Sequence, residues 1–129
     1  MRPLRIATAV ALSAAVLALP ASVAAAPAMP HVTITLASHY YNPNPIYVAG
    51  GVPVRLIFQN RAGKTHDFTA PEFFRSARLL AGSAPGGEVE LRKGQSAVVV
   101  LVPTRGTYKV HCGKPFHTML GMTARIVVS

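Results

Sequence analysis

Cysteine and acidic side chains are scarce in this sequence. Cys112 is the one cysteine among 129 residues, so no internal disulfide can form. In an oxidising compartment a lone thiol is a liability unless it is buried or ligated. Only 4 Asp+Glu stand against 13 Lys+Arg, for a formal net charge of +9. The basic residues are scattered (Arg55, Arg75, Arg92, Lys109, Arg125), which argues against a nucleic-acid binder and for acidic partners or anionic lipid faces. The chain has no internal repeat. Its five histidines form no second cluster of the kind that a catalytic metal centre would need, so an enzyme is not expected.

A membrane span is also missing. The N-terminal apolar run, Ile6 to Leu19, has 14 residues, short of the ~20 needed to cross a bilayer. Arg2 and Arg5 precede it, Pro20 ends it, and Val23-Ala24-Ala25 offers small residues for cleavage. Residues 1–26 therefore read as a secretory signal peptide, cut near Ala24 to Ala26, and 27–129 as one domain. The leader has no Arg-Arg pair, which favours export of an unfolded chain, and no cysteine that would take a lipid anchor. The expected location is periplasmic or secreted, with no stable membrane insertion. Without Arg2 and Arg5, 11 Lys+Arg remain against 4 Asp+Glu, about +7.

The remainder reads as strands. His31 to Ser38 alternates, with Val32, Ile34 and Leu36 on one face. Asn42-Pro43 and Asn44-Pro45 mark a turn that excludes regular pairing. Ile46 to Val48 and Val52 to Phe58 resume extended structure. Thr69 to Gly82 is the one predicted helix, with Thr69 and Glu72 as a capping box, Phe73, Phe74, Ala77 and Leu80 at helical spacing, and Gly82 as the stop. Glu88 to Leu91 alternates again, and Ala97 to Val102 reads as a strand buried on both faces. Thr107 to Cys112 and Ala124 to Val128 close the chain. The expected fold class is all-β, a Greek-key β-sandwich of about seven strands with one short helix.

The chemistry concentrates in GTYKVHCGKPFHTMLGM, residues 106–122. Tyr108, Val110 and Cys112 share one strand face, and Gly113 and Pro115 then open a loop. His117 follows Cys112 by five residues, with Met119 and Met122 beyond. Thiolate, imidazole and thioether form the soft ligand set that suits copper. A second histidine must come from elsewhere, and His66, just after the strand ending at Phe58, is the best candidate.

The pairing of PNPIYVAGGVPVRLIFQN…HDF with GTYKVHCGKPFHTMLGM resembles the cupredoxins, the blue-copper proteins, across residues 31–129. The resemblance implies one copper ion cycling between Cu(I) and Cu(II), held by His66, Cys112, His117 and Met122. It implies a trigonal two-histidine, one-cysteine plane with a long axial methionine. Gly121-Met122 before the last strand matches the family's methionine better than Met119 does. Met119 falls instead with Phe116 and Leu120 in an apolar patch around His117. His111 points to the opposite face from Cys112, towards solvent or the surroundings of the site. His31 and His39 have no assigned role. Two positions depart from the family's pattern: Asp67 stands where many members have Asn, and Lys114 lies inside the ligand loop.

The function implied is an exported electron carrier that meets a redox partner protein with an acidic docking surface. The alternatives are a copper chaperone or resistance protein, exchanging metal with a donor or acceptor protein, and a metal-free cupredoxin-like domain of an uptake system. A dinuclear copper domain would require a second cysteine.

Overall fold

The computed structural model describes Pro3, residues 9–114 and residues 122–129. Residues 9–30 contain no helix or strand, and Val10, Leu12, Val16, Leu17 and Leu19 are exposed there. Residues 9–30 thus add nothing to the core. Among the described residues, no helix is long and apolar enough to cross a membrane.

Ten strands follow: β1 (His31–Leu36), β2 (Tyr41–Asn42), β3 (Ile46–Val48), β4 (Val54–Asn60), β5 (His66–Thr69), β6 (Arg78–Ala81), β7 (Glu88–Leu91), β8 (Ser96–Val102), β9 (Gly106–His111) and β10 (Thr123–Val128). They form two five-stranded sheets, ordered β2-β1-β4-β8-β6 and β3-β10-β9-β5-β7. Each sheet contains one parallel pair, β1 with β4 and β3 with β10, among antiparallel neighbours. The chain changes sheet at every step from β2 to β9, and only β1–β2 and β9–β10 follow one another within a sheet, so the sandwich is stitched by crossovers.

The core lies between the sheets. Ile34, Leu36, Leu56, Phe58, Val99 and Leu101 come from the first, and Phe68, Val89, Leu91, Val110, Ala124 and Ile126 from the second. Every second residue of β10 (Ala124, Ile126, Val128) is buried, as the period of two requires of a sheet with one wet face. Phe68 is the aromatic centre. Its ring lies 4.9 Å from Phe58, 5.5 Å from Tyr41 and 6.3 Å from Phe74 by centroid.

Several sequence expectations are corrected here. The seven expected strands become ten because β2, β5 and β6 also pair. Tyr41 and Asn42 bond to Leu36 and Thr35 despite the prolines that follow, since both lie before the first proline and keep their amides. The helix α1 covers only Pro71–Ser76. Its N-cap is Ala70, with no side-chain cap, because Thr69 belongs to β5 and its hydroxyl bonds Asp67 instead. Arg78 to Ala81 leave the helical pattern to pair antiparallel with β8. A marginal two-turn helix extension loses to a ladder that covers the open edge of β8. Gly82 ends no helix. Its φ of +77° lets the backbone close on β8, where an added Cβ would lie 2.3 Å from the Val98 carbonyl oxygen. Finally, β8 is buried on one face only. Val99 and Leu101 point inward, whereas Val98 is 45% exposed on the outer side of the sheet.

Candidate metal centre

Strand register explains why distant residues meet at one end of the sandwich. In β9, His111 pairs with Thr123 of β10 on one side and with Thr69 of β5 on the other. One step beyond, the antiparallel continuation brings Cys112 beside Met122, and the Cys112 N–H donates to the Met122 carbonyl at 3.2 Å. On the other side the same continuation carries Asp67 alongside Gly113. The Gly113 N–H donates to Asp67 Oδ1 at 2.8 Å.

His66 opens β5 and pairs with Leu91 of β7. The preceding loop is held by Asn60, whose amide donates to the carbonyls of Lys64 (2.8 Å) and Leu91 (2.9 Å) and accepts from the Ala62 N–H (2.9 Å). This buried amide takes the place of secondary structure in fixing where β5 begins. The result is that Cys112 Sγ and His66 Nδ1 stand 3.9 Å apart, at 1% and 2% exposure. Met122 is wholly buried in the same region of the core.

Burial raises the Cys112 thiol above its ordinary range, while the backbone amides of Asp67 and Lys114 oppose that rise. Those amides favour the thiolate, the form that binds metal. Burial also pushes the Tyr41 phenol up, with the sulfur and the Asp67 carboxylate adding to it. Tyr41 therefore remains a donor, and its hydroxyl bonds the Asp67 carbonyl at 2.6 Å.

Asp67 is the tie between strand and loop. Its side chain is buried, and Oδ1 accepts from both the Gly113 N–H and the Thr69 hydroxyl, the latter at 2.6 Å. A carboxylate here does the anchoring that an amide would do. Replacing Asp67 with alanine leaves two partly buried donors without this acceptor and is expected to cost about 1–2 kcal/mol, against roughly 1 kcal/mol or less for Asp67→Asn, which keeps an acceptor. Urea denaturation of the two variants measures the difference. Lys114 forms an ion pair with Glu90 of β7, which raises its pKa, so the charge inside the loop is partnered.

The structure thus brings His66, Cys112 and Met122 to one end of the fold. His117, with Met119, Pro115, Phe116 and Leu120, lies outside the described residues. Among the described residues no three His, Cys, Asp or Glu side chains converge on one point. Sequence reasoning missed that His66 belongs to a strand. HDFT is short and its first three residues are all buried, so it shows no alternation.

The sequence matches the cupredoxin-like domain family over residues 8–128. No curated relative matches by sequence. Among solved structures, the chain is similar to a reduced auracyanin from the photosynthetic bacterium Roseiflexus castenholzii, with a TM-score of 0.60, 18% identity, and coverage of 80% of this chain and 99% of that one. It is also similar to auracyanin B, with a TM-score of 0.54, 20% identity, and coverage of 83% and 93%. A multicopper oxidase from Campylobacter jejuni aligns with a TM-score of 0.59 at 14% identity, over 83% of this chain and 32% of the oxidase. At these identities the structural likeness speaks to fold, while the family match covers nearly the whole sequence. With two five-stranded sheets and a buried Cys112–His66 pair at one end, the chain belongs to the cupredoxin-like domain family.

Proposed function

We propose that this domain is an exported electron carrier in which His66, Cys112, His117 and Met122 hold one copper ion. The observation that carries the reading is the buried sulfur of Cys112 beside the imidazole nitrogen of His66, 3.9 Å away. The donor set fits the metal. A buried thiol, imidazole and thioether suit a soft ion, and two amides favour the thiolate. Bound copper would supply a one-electron couple, Cu(I)/Cu(II). The chain's own residues supply rigidity. Asp67 pins the backbone at Gly113, the Cys112 amide is fixed to Met122, and Phe68, two residues along β5 from His66, is wholly buried in the core. Ligands held this firmly would move little when the charge on the site changes, which suits a carrier.

Export follows from the N-terminal leader pattern, and the charge balance suits a partner protein with an acidic surface. No catalytic role is assigned. Titration with Cu(II) tests the reading: one equivalent is expected to produce an intense visible thiolate-to-copper absorption that survives repeated reduction and reoxidation. A colourless adduct would overturn it. Transfer of the ion to a Cu(I) chelator at each reduction would point to copper delivery.

A further inference from the structure

We propose that the outward face of β9 and β10 is the docking surface for a partner protein that presents carboxylates. This extends the carrier reading, which supplies the reason for a partner; the location rests on the surface alone. Lys109 and Arg125 occupy directly paired positions on these strands, and both are exposed. Like charges directly opposite each other in a sheet are destabilising, and a fold keeps such a pair at a cost. None of the acidic side chains relieves it. Of the four acidic residues, Asp67 is buried under the loop at Gly113, Glu90 pairs with Lys114, Glu88 lies on the edge strand β7, and Glu72 is in α1. Among the described residues neither Lys109 nor Arg125 has an ion pair.

The rest of the face completes an interface of the expected make-up. On one side of the two cations, Tyr47 of β3 pairs with Val127 and is 66% exposed. On the other side Thr123 faces His111, beside a shallow groove of about 460 Å³ that also takes in Asn44. Asn44 is locked there, its amide donating to the Thr123 carbonyl and its oxygen accepting from the Arg125 N–H, both at 3.2 Å. An exposed aromatic, two unpaired cations and a groove are the features that protein interfaces concentrate. The face also backs onto the candidate metal centre, because Cys112 follows His111 in the chain. A carboxylate-bearing protein seated here would neutralise the repulsion within the sheet.

The test uses poly-L-glutamate, titrated into the protein both metal-free and treated with Cu(II), with amide shifts followed by NMR. A failure of copper binding leaves this readout intact. The shifts are expected to centre on Lys109, His111, Thr123 and Arg125. The double variant Lys109→Glu/Arg125→Glu is expected to weaken binding about tenfold or more at low salt, against about threefold or less for Arg55→Glu/Arg92→Glu, which makes the same charge change elsewhere. If the double variant does not fold, Lys109→Glu alone sets an acid opposite Arg125 and should still weaken binding several-fold. Equal weakening by the two double variants, or shifts spread over the whole surface, would overturn the proposal. So would tighter binding to phosphatidylglycerol vesicles than to polyglutamate.

Discussion

Replacing Cys112 with serine is expected to abolish the visible absorption of the copper-treated protein. The copper(II) affinity should fall by about a hundredfold or more, near 3 kcal/mol. A hydroxyl is far harder to deprotonate than a thiol, and it lacks the soft donor orbital that gives the thiolate its charge-transfer band. The fold itself should survive. Cys112 is buried beside His66, and the amides of Asp67 and Lys114 that favour the thiolate could also bond a hydroxyl oxygen. The cost of placing a more polar group there is about 1–2 kcal/mol. The expected result is therefore a folded, colourless protein. Visible spectra and thermal unfolding curves, recorded on the same sample, separate loss of the site from loss of the structure.

The largest effect on stability is expected at Phe68. Truncation to alanine should cost about 3–5 kcal/mol, as deletion of a fully buried aromatic ring does. Phe68 is wholly buried, and its ring packs on Phe58 and Tyr41 while reaching Phe74 of α1. Phe74 cannot close the gap without leaving its own partner, because it also meets Phe73 edge-to-face at 5.2 Å. For a domain of this size the melting temperature should fall by roughly 15 °C or more. The change also removes the packing two residues along β5 from His66. Copper binding should weaken even under conditions where the variant stays folded. A calorimetric scan of the metal-free protein gives the first number, and a copper titration below the transition gives the second.

How much of this was legible in the sequence depended on which forces acted locally. The alternating strands His31–Leu36 and Thr123–Val128 were plain, because one wet face and one dry face impose a period of two. The stretch after Thr69 was misread. Phe73, Phe74, Ala77 and Leu80 have helical spacing, yet the edge of β8 drew Arg78 to Ala81 into a ladder that only the tertiary structure provides. Thr69 has the chemistry of an N-cap, but it is held in β5, where its hydroxyl donates to Asp67. In β8 the run of valines hid which face was wet, since an apolar residue on an open sheet face leaves no mark in the pattern.

The candidate site divides in the same way. Cys112 and Met122 could be read from the chain because they flank one hairpin, and strand register then sets them side by side. His66 lies 46 positions from Cys112, and its nearness depends on β5 pairing with β9 through a single registered pair, Thr69 with His111. A link that narrow leaves no signal in composition. The need for a second imidazole, and a place just after a strand, made His66 a candidate, and the resemblance to a known family then implied it as a ligand. Asp67 was noticed as a departure from that family, and the geometry gives it a definite task, accepting the Gly113 amide. His117 lies outside the described residues and is proposed as a ligand from the motif alone.

Copper K-edge X-ray absorption on the protein loaded with one equivalent of copper tests the central claim most directly, because it reports the atoms bonded to the metal. The account predicts one sulfur at short distance together with two imidazole nitrogens, and loss of the short sulfur in Cys112→Ser. A coordination sphere of oxygen and nitrogen alone in the unmodified protein would contradict it.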